Sequence, residues 1–188
     1  MMPARPEAVV IGASAGALEA LSVILPALPR AFHLPILVVV HVPPDKRSAI
    51  ADLFRTKCQV RVEEAEDKEP IAPGTVYFAP PDYHLLVEVD RTLSLSTEEP
   101  VLFSRPSIDV LFESAADAYG AGLIGIVLTG ANADGARGLL AVTEAGGTAI
   151  VQDPRGAFAA AMPEAAIQMS PDARVMPLAA IAPYLEKV

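Results

Sequence analysis

The chain has 188 residues, 52% of them hydrophobic and 20% charged, which excludes a disordered chain and suits one well-packed α/β domain. Its net charge of −9, with no basic run to follow a phosphate backbone, argues against nucleic acid and against an anionic membrane surface as partners. Cys58 is the only cysteine, so no internal disulfide can form, which fits a reducing cytoplasm.

In chain order, Ala8–Ile11 is a short apolar run that stops at Gly12 and reads as a buried strand. Arg5 ahead of the apolar stretch Ala8–Leu28 has the outline of a signal peptide, but Gly12, Gly16 and Glu19 interrupt it. No run reaches the ~18 apolar residues of a membrane span. Leu18, Leu21, Leu25 and Leu28 recur at helical spacing. Pro35 opens Ile36–Val40, apolar on both faces as a central parallel strand must be. A polar helix is predicted over Asp45–Arg55 and a third strand over Cys58–Val62.

The middle of the chain changes character. Thr75–Phe78, Leu85–Val89 and Thr92–Ser96 are short and closely spaced, and Val89–Thr92 predicts a tight turn joining the last two as a hairpin. The three are read as an antiparallel insertion. Pro106 then opens a helix with Asp109 near its positive end and a stripe of Ile108, Leu111, Phe112, Ala115 and Tyr119. Leu123–Leu128 is a strand, Asp134–Ala145 a helix stopped by Gly146-Gly147, and Thr148–Val151 a strand. Helices are predicted over Pro163–Met169 and Pro177–Glu186. Alternation of this kind implies a doubly wound, mostly parallel α/β sheet, Rossmann-like and three-layered, with an inserted antiparallel hairpin. Residues 1–188 are expected to be one catalytic domain.

In open α/β sheets ligands bind outside the carboxyl ends of the strands. That rule selects the loops Gly12–Gly16, His41–Pro44 and Thr129–Gly135. The first is G-x-S-x-G between a strand and a helix, a sharp turn that exposes the hydroxyl of Ser14. The flanking glycines relieve crowding there, and the amide of Ala15 would face a developing oxyanion. A serine needs a base. Of His33, His41 and His84, only His41 ends a central strand at this edge, and Asp134 on the third loop could orient it. Each residue also has a plainer use. Gly12–Gly16 could cradle a phosphate, His41 could be a core histidine, and Asp134 could cap the helix that follows it. No CxxC or HExxH spacing is present, so neither metal nor cofactor is expected.

The stretches Val10–Gly16 and Val40–Pro44 resemble the catalytic domain of the bacterial chemotaxis protein-glutamate methylesterases. Val62–Asp67, Pro73-Gly74, Tyr77–Pro80, Arg105–Phe112, Leu128–Gly130, Asp134–Ala136 and Met162–Ala165 extend the resemblance over about residues 8 to 170. It implies a catalytic triad of Ser14, His41 and Asp134, with the amides of Ala15 and Ala131 at the oxyanion. It implies glutamate γ-methyl esters as substrates, on the cytoplasmic helices of chemoreceptors or a related methylated signalling protein, with methanol released. Related enzymes also deamidate receptor glutamines. Two departures stand out: the family usually continues Ser-Thr-Gly-Gly where this chain has Ser14-Ala15-Gly16-Ala17, and often has Met where Ala131 stands. Most members also carry an N-terminal receiver domain. Only a few residues precede the first strand here, so a stand-alone esterase is expected. Two other readings stay open, a chemosensory binding module without turnover and a phosphate or nucleotide binder.

Overall fold

The computed structural model describes residues 2–41 and 49–188. The end of the predicted His41–Pro44 loop and the start of the predicted Asp45–Arg55 helix lie outside the described residues. Within them the chain runs β1 (Ala8–Ala13), α1 (Ala17–Ile24), β2 (Ile36–Val40), α2 (Ile50–Lys57), β3 (Arg61–Glu64) and β4 (Thr75–Phe78). Then come β5 (His84–Val87), β6 (Leu93–Ser96), α3 (Ile108–Tyr119), β7 (Leu123–Val127), α4 (Ala136–Glu144), β8 (Thr148–Gln152), α5 (Ala161–Met169), β9 (Arg174–Met176) and α6 (Leu178–Leu185).

Seven strands form one parallel sheet in the order β3-β4-β2-β1-β7-β8-β9. The period of two along each strand splits the core into two layers. Val9, Ile11, Ile36, Val38, Ile124 and Ile126 face one side, where Leu21, Phe54 and Ile181 bring α1, α2 and α6 onto them. Val10, Leu37, Val39, Leu123 and Val127 face the other, covered by α3, α4, α5 and the β5–β6 hairpin. Among the described residues no helix is long and apolar enough to cross a membrane.

Three sequence expectations need correction. Thr75–Phe78 is no part of the antiparallel insertion: it is β4, parallel between β2 and β3. All four of its residues are buried, a pattern that an interior strand covered on both faces requires. Among the described residues the antiparallel strand pair is β5–β6. Cys58 ends α2, its amide donating to the Phe54 carbonyl, and the third strand starts only at Arg61. Finally, α1 seats on the sheet through Ala17, Ala20, Leu21 and Ile24, which turns Leu18 outward at 42% exposure. The edge strand β9 carries no apolar run and was not foreseen.

Gly12 decides how α3 meets the sheet. A β-carbon there would land inside the Ile108 side chain, so glycine lets the first residue of α3 lie directly on β1. That contact brings the N-terminus of α3 to the carboxyl edge of the sheet, beside the loops selected above.

Candidate active site

Register does most of the positioning. Ala13 pairs with Val40 across β1 and β2, so Ser14 and His41 are the next residues on neighbouring parallel strands. The ladder continues for one more bond, His41 N–H to Ala13 C=O at 3.2 Å. On the other side Gly12 pairs with Val127, and Ser14 N–H donates to Thr129 C=O at 3.0 Å. Ser14, His41 and Thr129 therefore meet at the carboxyl ends of the three central strands.

His41 Nε2 lies 2.7 Å from Asp134 Oδ2, with the histidine side chain 15% exposed and the aspartate fully buried. The carboxylate accepts at Nε2–H, so in the neutral ring Nδ1 keeps the lone pair. Ser14 Oγ accepts a hydrogen bond from the Ala131 amide at 3.1 Å. Ser14 and His41 are not hydrogen-bonded to each other, and both line a cleft of about 320 Å³ with Gly16, Ala17, Leu18 and Val40. The outward turn of Leu18 thus has a consequence: it forms a wall of this cleft.

The plain reading of Asp134 as a cap is half right, on a different helix. Its own loop enters α4 through Gly135, whereas its carboxylate serves α3. Oδ1 accepts from Asp109 N–H at 2.9 Å and Ser107 Oγ–H at 3.0 Å, and Oδ2 accepts from Ile108 N–H at 2.7 Å. Burial alone would raise the Asp134 carboxyl. The bonds from His41 and from the Asp109 and Ile108 amides outweigh it and hold the group below the usual carboxylate range. The α3 dipole acts in the same direction. A carboxylate fixed in this way stays ionised next to His41.

The Gly12–Gly16 turn is tied to its neighbours. The amides of Ser14 and Ala17 are already bonded, to Thr129 C=O at 3.0 Å and Ser14 C=O at 2.9 Å. Gly16 takes φ +83°, a left-handed conformation that glycine adopts without penalty. Thr129 Oγ1–H donates to Ala15 C=O at 2.8 Å and fixes that peptide, while Gln152 Oε1 accepts from Thr129 N–H at 3.0 Å. Phe158 stands over the turn, 83% exposed.

Sequence reasoning missed Ser107, Thr129 and Gln152. Ser107 reads as an ordinary helix start after Pro106, and no local signal says that its hydroxyl serves a carboxylate 27 residues away. Arg105 and Met162 gain positions: Arg105 ties Asp82 to the Thr97 and Glu98 carbonyls, and Met162 packs under Gly130.

The model of the CheB methylesterase family matches residues 9–185. The chain belongs to that family. The crystal structure of the Thermotoga maritima CheB methylesterase catalytic domain superposes with a TM-score of 0.92 at 34% identity, covering 98% of this chain and all of that one. A Leptospira interrogans protein, provisionally named for protein-glutamate methylesterase and protein-glutamine glutaminase activities, is 49% identical over 176 residues, 94% of this chain and 91% of its own. The protein-glutamate methylesterase/protein-glutamine glutaminase of the group 3 operon of Bradyrhizobium diazoefficiens is 39% identical over 180 residues. Those residues are 94% of this chain and 49% of that CheB relative.

Proposed function

We propose that this protein is a serine hydrolase that cleaves glutamate γ-methyl esters on chemoreceptors, with Ser14 as nucleophile, His41 as general base and Asp134 as its orienting partner. The observation that carries the proposal is His41, held by buried Asp134 and facing the Ser14 cleft from the adjacent strand. Membership of the CheB methylesterase family supports the ester as substrate.

His41 Nδ1 would take the Ser14 proton as Oγ attacks the ester carbonyl carbon. The oxyanion that forms would lie against the Ala131 amide, already directed at Oγ, and against the Ala15 amide at the start of the turn. One such donor is typically worth ~3 kcal/mol. The C–OCH₃ bond then breaks, His41 returns the proton to the departing oxygen, and methanol leaves a glutamyl ester on Ser14. Water attacks that ester as it gives a proton to His41. The acyl–Oγ bond breaks, Ser14 regains its proton, and glutamate is released. Asp134 stabilises the imidazolium at both stages. The relatives named as glutaminases support a second use of the same path, with ammonia leaving from a glutamine amide instead of methanol. The cytoplasmic face of a receptor is the matching location, and the single cysteine is compatible with it.

The test is methanol release from methylated receptor fragments. Ser14→Ala and His41→Ala are expected to lose activity by roughly 10³-fold or more. Turnover by Ser14→Ala at the wild-type rate would overturn the proposal. Covalent labelling of Ser14 by a fluorophosphonate separates a hydrolase from a non-catalytic binding module on the same fold.

A further inference from the structure

Asp134 receives four hydrogen bonds, and three of them come from one short segment, residues 107–109. What holds that segment therefore holds Asp134. Its first residue, Ser107, is fully buried and donates its amide N–H to Nδ1 of His84 at 3.1 Å. An amide can only donate, so Nδ1 of His84 carries no proton and Nε2 carries it. Nε2–H in turn donates to the Glu99 carbonyl at 2.9 Å. His84 is itself buried, at the start of β5, and both its nitrogens are satisfied in this one tautomer.

We infer that His84 is a positioning residue for the reaction: by accepting the Ser107 amide it fixes the segment whose hydroxyl and amides orient Asp134, and through Asp134 it sets His41. The chain of contacts runs from His84 Nδ1 to Ser107 N–H, from Ser107 Oγ–H to Asp134 Oδ1, and from Asp134 Oδ2 to His41 Nε2–H. His84 touches no reacting atom. It stands on the hairpin that covers one face of the sheet, which gives that insertion a part in aligning the site as well as in burying α3. Its contribution is geometric, and the neutral ring matters because a proton on Nδ1 would turn the acceptor into a second donor facing Ser107 N–H.

Two conservative substitutions separate the two ends of the ring. His84→Asn keeps an acceptor where Nδ1 stands and loses the reach to Glu99. His84→Gln keeps a polar group where Nε2 stands and loses the acceptor for Ser107. The kinetic part of the inference rests on the hydrolase reading above, so a second readout is independent of it. That readout is the His41 Nε2–H proton resonance in water, assigned by its loss in His41→Ala. His84→Asn is expected to keep the resonance in place and kcat within about threefold of wild type. His84→Gln is expected to move or broaden the resonance and lower kcat by about ten- to a hundredfold with KM unchanged, the scale of a small misplacement in a catalytic array. Equal losses in both variants, or a His84→Gln spectrum and kcat like wild type, would overturn the inference. A wild type that shows the resonance but no esterase activity would sink the hydrolase reading and leave the spectroscopic comparison to decide the positioning. Should His84→Gln not fold, Ser107→Ala decides from the other end of the chain. It removes the hydroxyl bond to Asp134 and should shift the same resonance; a shift there with an unmoved resonance in His84→Asn supports the inference, and no shift in Ser107→Ala, or a shift in His84→Asn, would overturn it.

Discussion

Asp109 and Asp134 cap each other's helices. Asp134, at the entry to α4, accepts from the Ile108 and Asp109 amides that open α3, at 2.7 and 2.9 Å. Asp109, in the first turn of α3, accepts through Oδ1 from the Gly135 and Gly138 amides that open α4, at 2.9 and 2.7 Å. Each carboxylate sits at the positive end of a helix, where the unpaired amides need an acceptor. The two helix ends are thereby tied together directly behind His41. The pair is not symmetric. Asp134 has both oxygens bonded, whereas Oδ2 of Asp109 is buried without a partner among the described residues.

That asymmetry predicts a pH dependence of stability. Burial, partly offset by the Gly138 amide and reinforced by the nearby Asp134 charge, pushes the Asp109 carboxyl up to about 6. Its folded value lies above the unfolded one of ~3.9. The stability it contributes is therefore fully present below about pH 4 and is lost as pH rises through about 6. Asp109→Asn keeps the Oδ1 acceptor and cannot ionise. Urea unfolding of both proteins between pH 4 and 8 should show wild type losing ground to Asp109→Asn as pH rises. Asp134, held below the usual carboxylate range, stays ionised in both proteins across this window. Parallel curves across the range would rule this account out.

Gly130 predicts a loss of activity that exceeds the loss of stability. A β-carbon there would come within 2.7 Å of Ser14 Oγ and 2.5 Å of Met162. Met162 is flexible and can yield, but Ser14 Oγ would be displaced from the Ala131 amide and the His41 cleft. Gly130→Ala should lower kcat by about a hundredfold. Its thermal unfolding should show only the ~1–3 kcal/mol typical of overpacking. Retained kcat would show that Ser14 tolerates the shift.

The contact between Gly12 and Ile108 predicts coupling. Gly12→Ala should destabilise the fold and weaken catalysis together, because it drives the first turn of α3 off β1 and takes the caps of Asp134 with it. Ile108→Ala makes a cavity in wild type and makes room in Gly12→Ala. The double mutant should therefore be more stable than the sum of the singles by about 1 kcal/mol or more, read by denaturation. Additive effects would refute the coupling.

Cys58 is expected to be inert. Burial, only partly offset by Lys57, pushes its thiol up to about 11. Alkylation at pH 8 should be roughly a hundredfold slower in the native protein than after unfolding, since only the thiolate reacts. Equal rates in the two states would contradict that environment.

Most of the architecture was legible in the sequence because its signals are local. Runs such as Ile36–Val40 are apolar on both faces, and only an interior parallel strand buries both. The stripe of Ile108, Leu111, Phe112, Ala115 and Tyr119 is buried as its spacing predicts. The position of Thr75–Phe78 was not legible, since a four-residue apolar strand looks the same in a hairpin and in a parallel sheet. Leu18 shares the spacing of Leu21, Leu25 and Leu28 but faces outward, since a helix with apolar residues on two sides does not say which side meets the core. At the site, Ser14, His41 and Asp134 could be chosen because they lie on loops at one edge of the sheet. The edge follows from strand direction alone.

The sequence by itself determined most of the strands and helices, the turn that carries Ser14, and the family motifs. These depend on periodicity and residue type over a few neighbours. Only the tertiary structure decided that Asp134 caps α3 instead of α4. It alone decided that Asp109 returns the cap, and that Ser107 and His84 stand behind the carboxylate. Those bonds join residues about 23 to 29 positions apart, and their directions depend on how helices are seated on the sheet. A hydrogen bond needs its groups within a fraction of an ångström, and no local pattern of side chains encodes that distance.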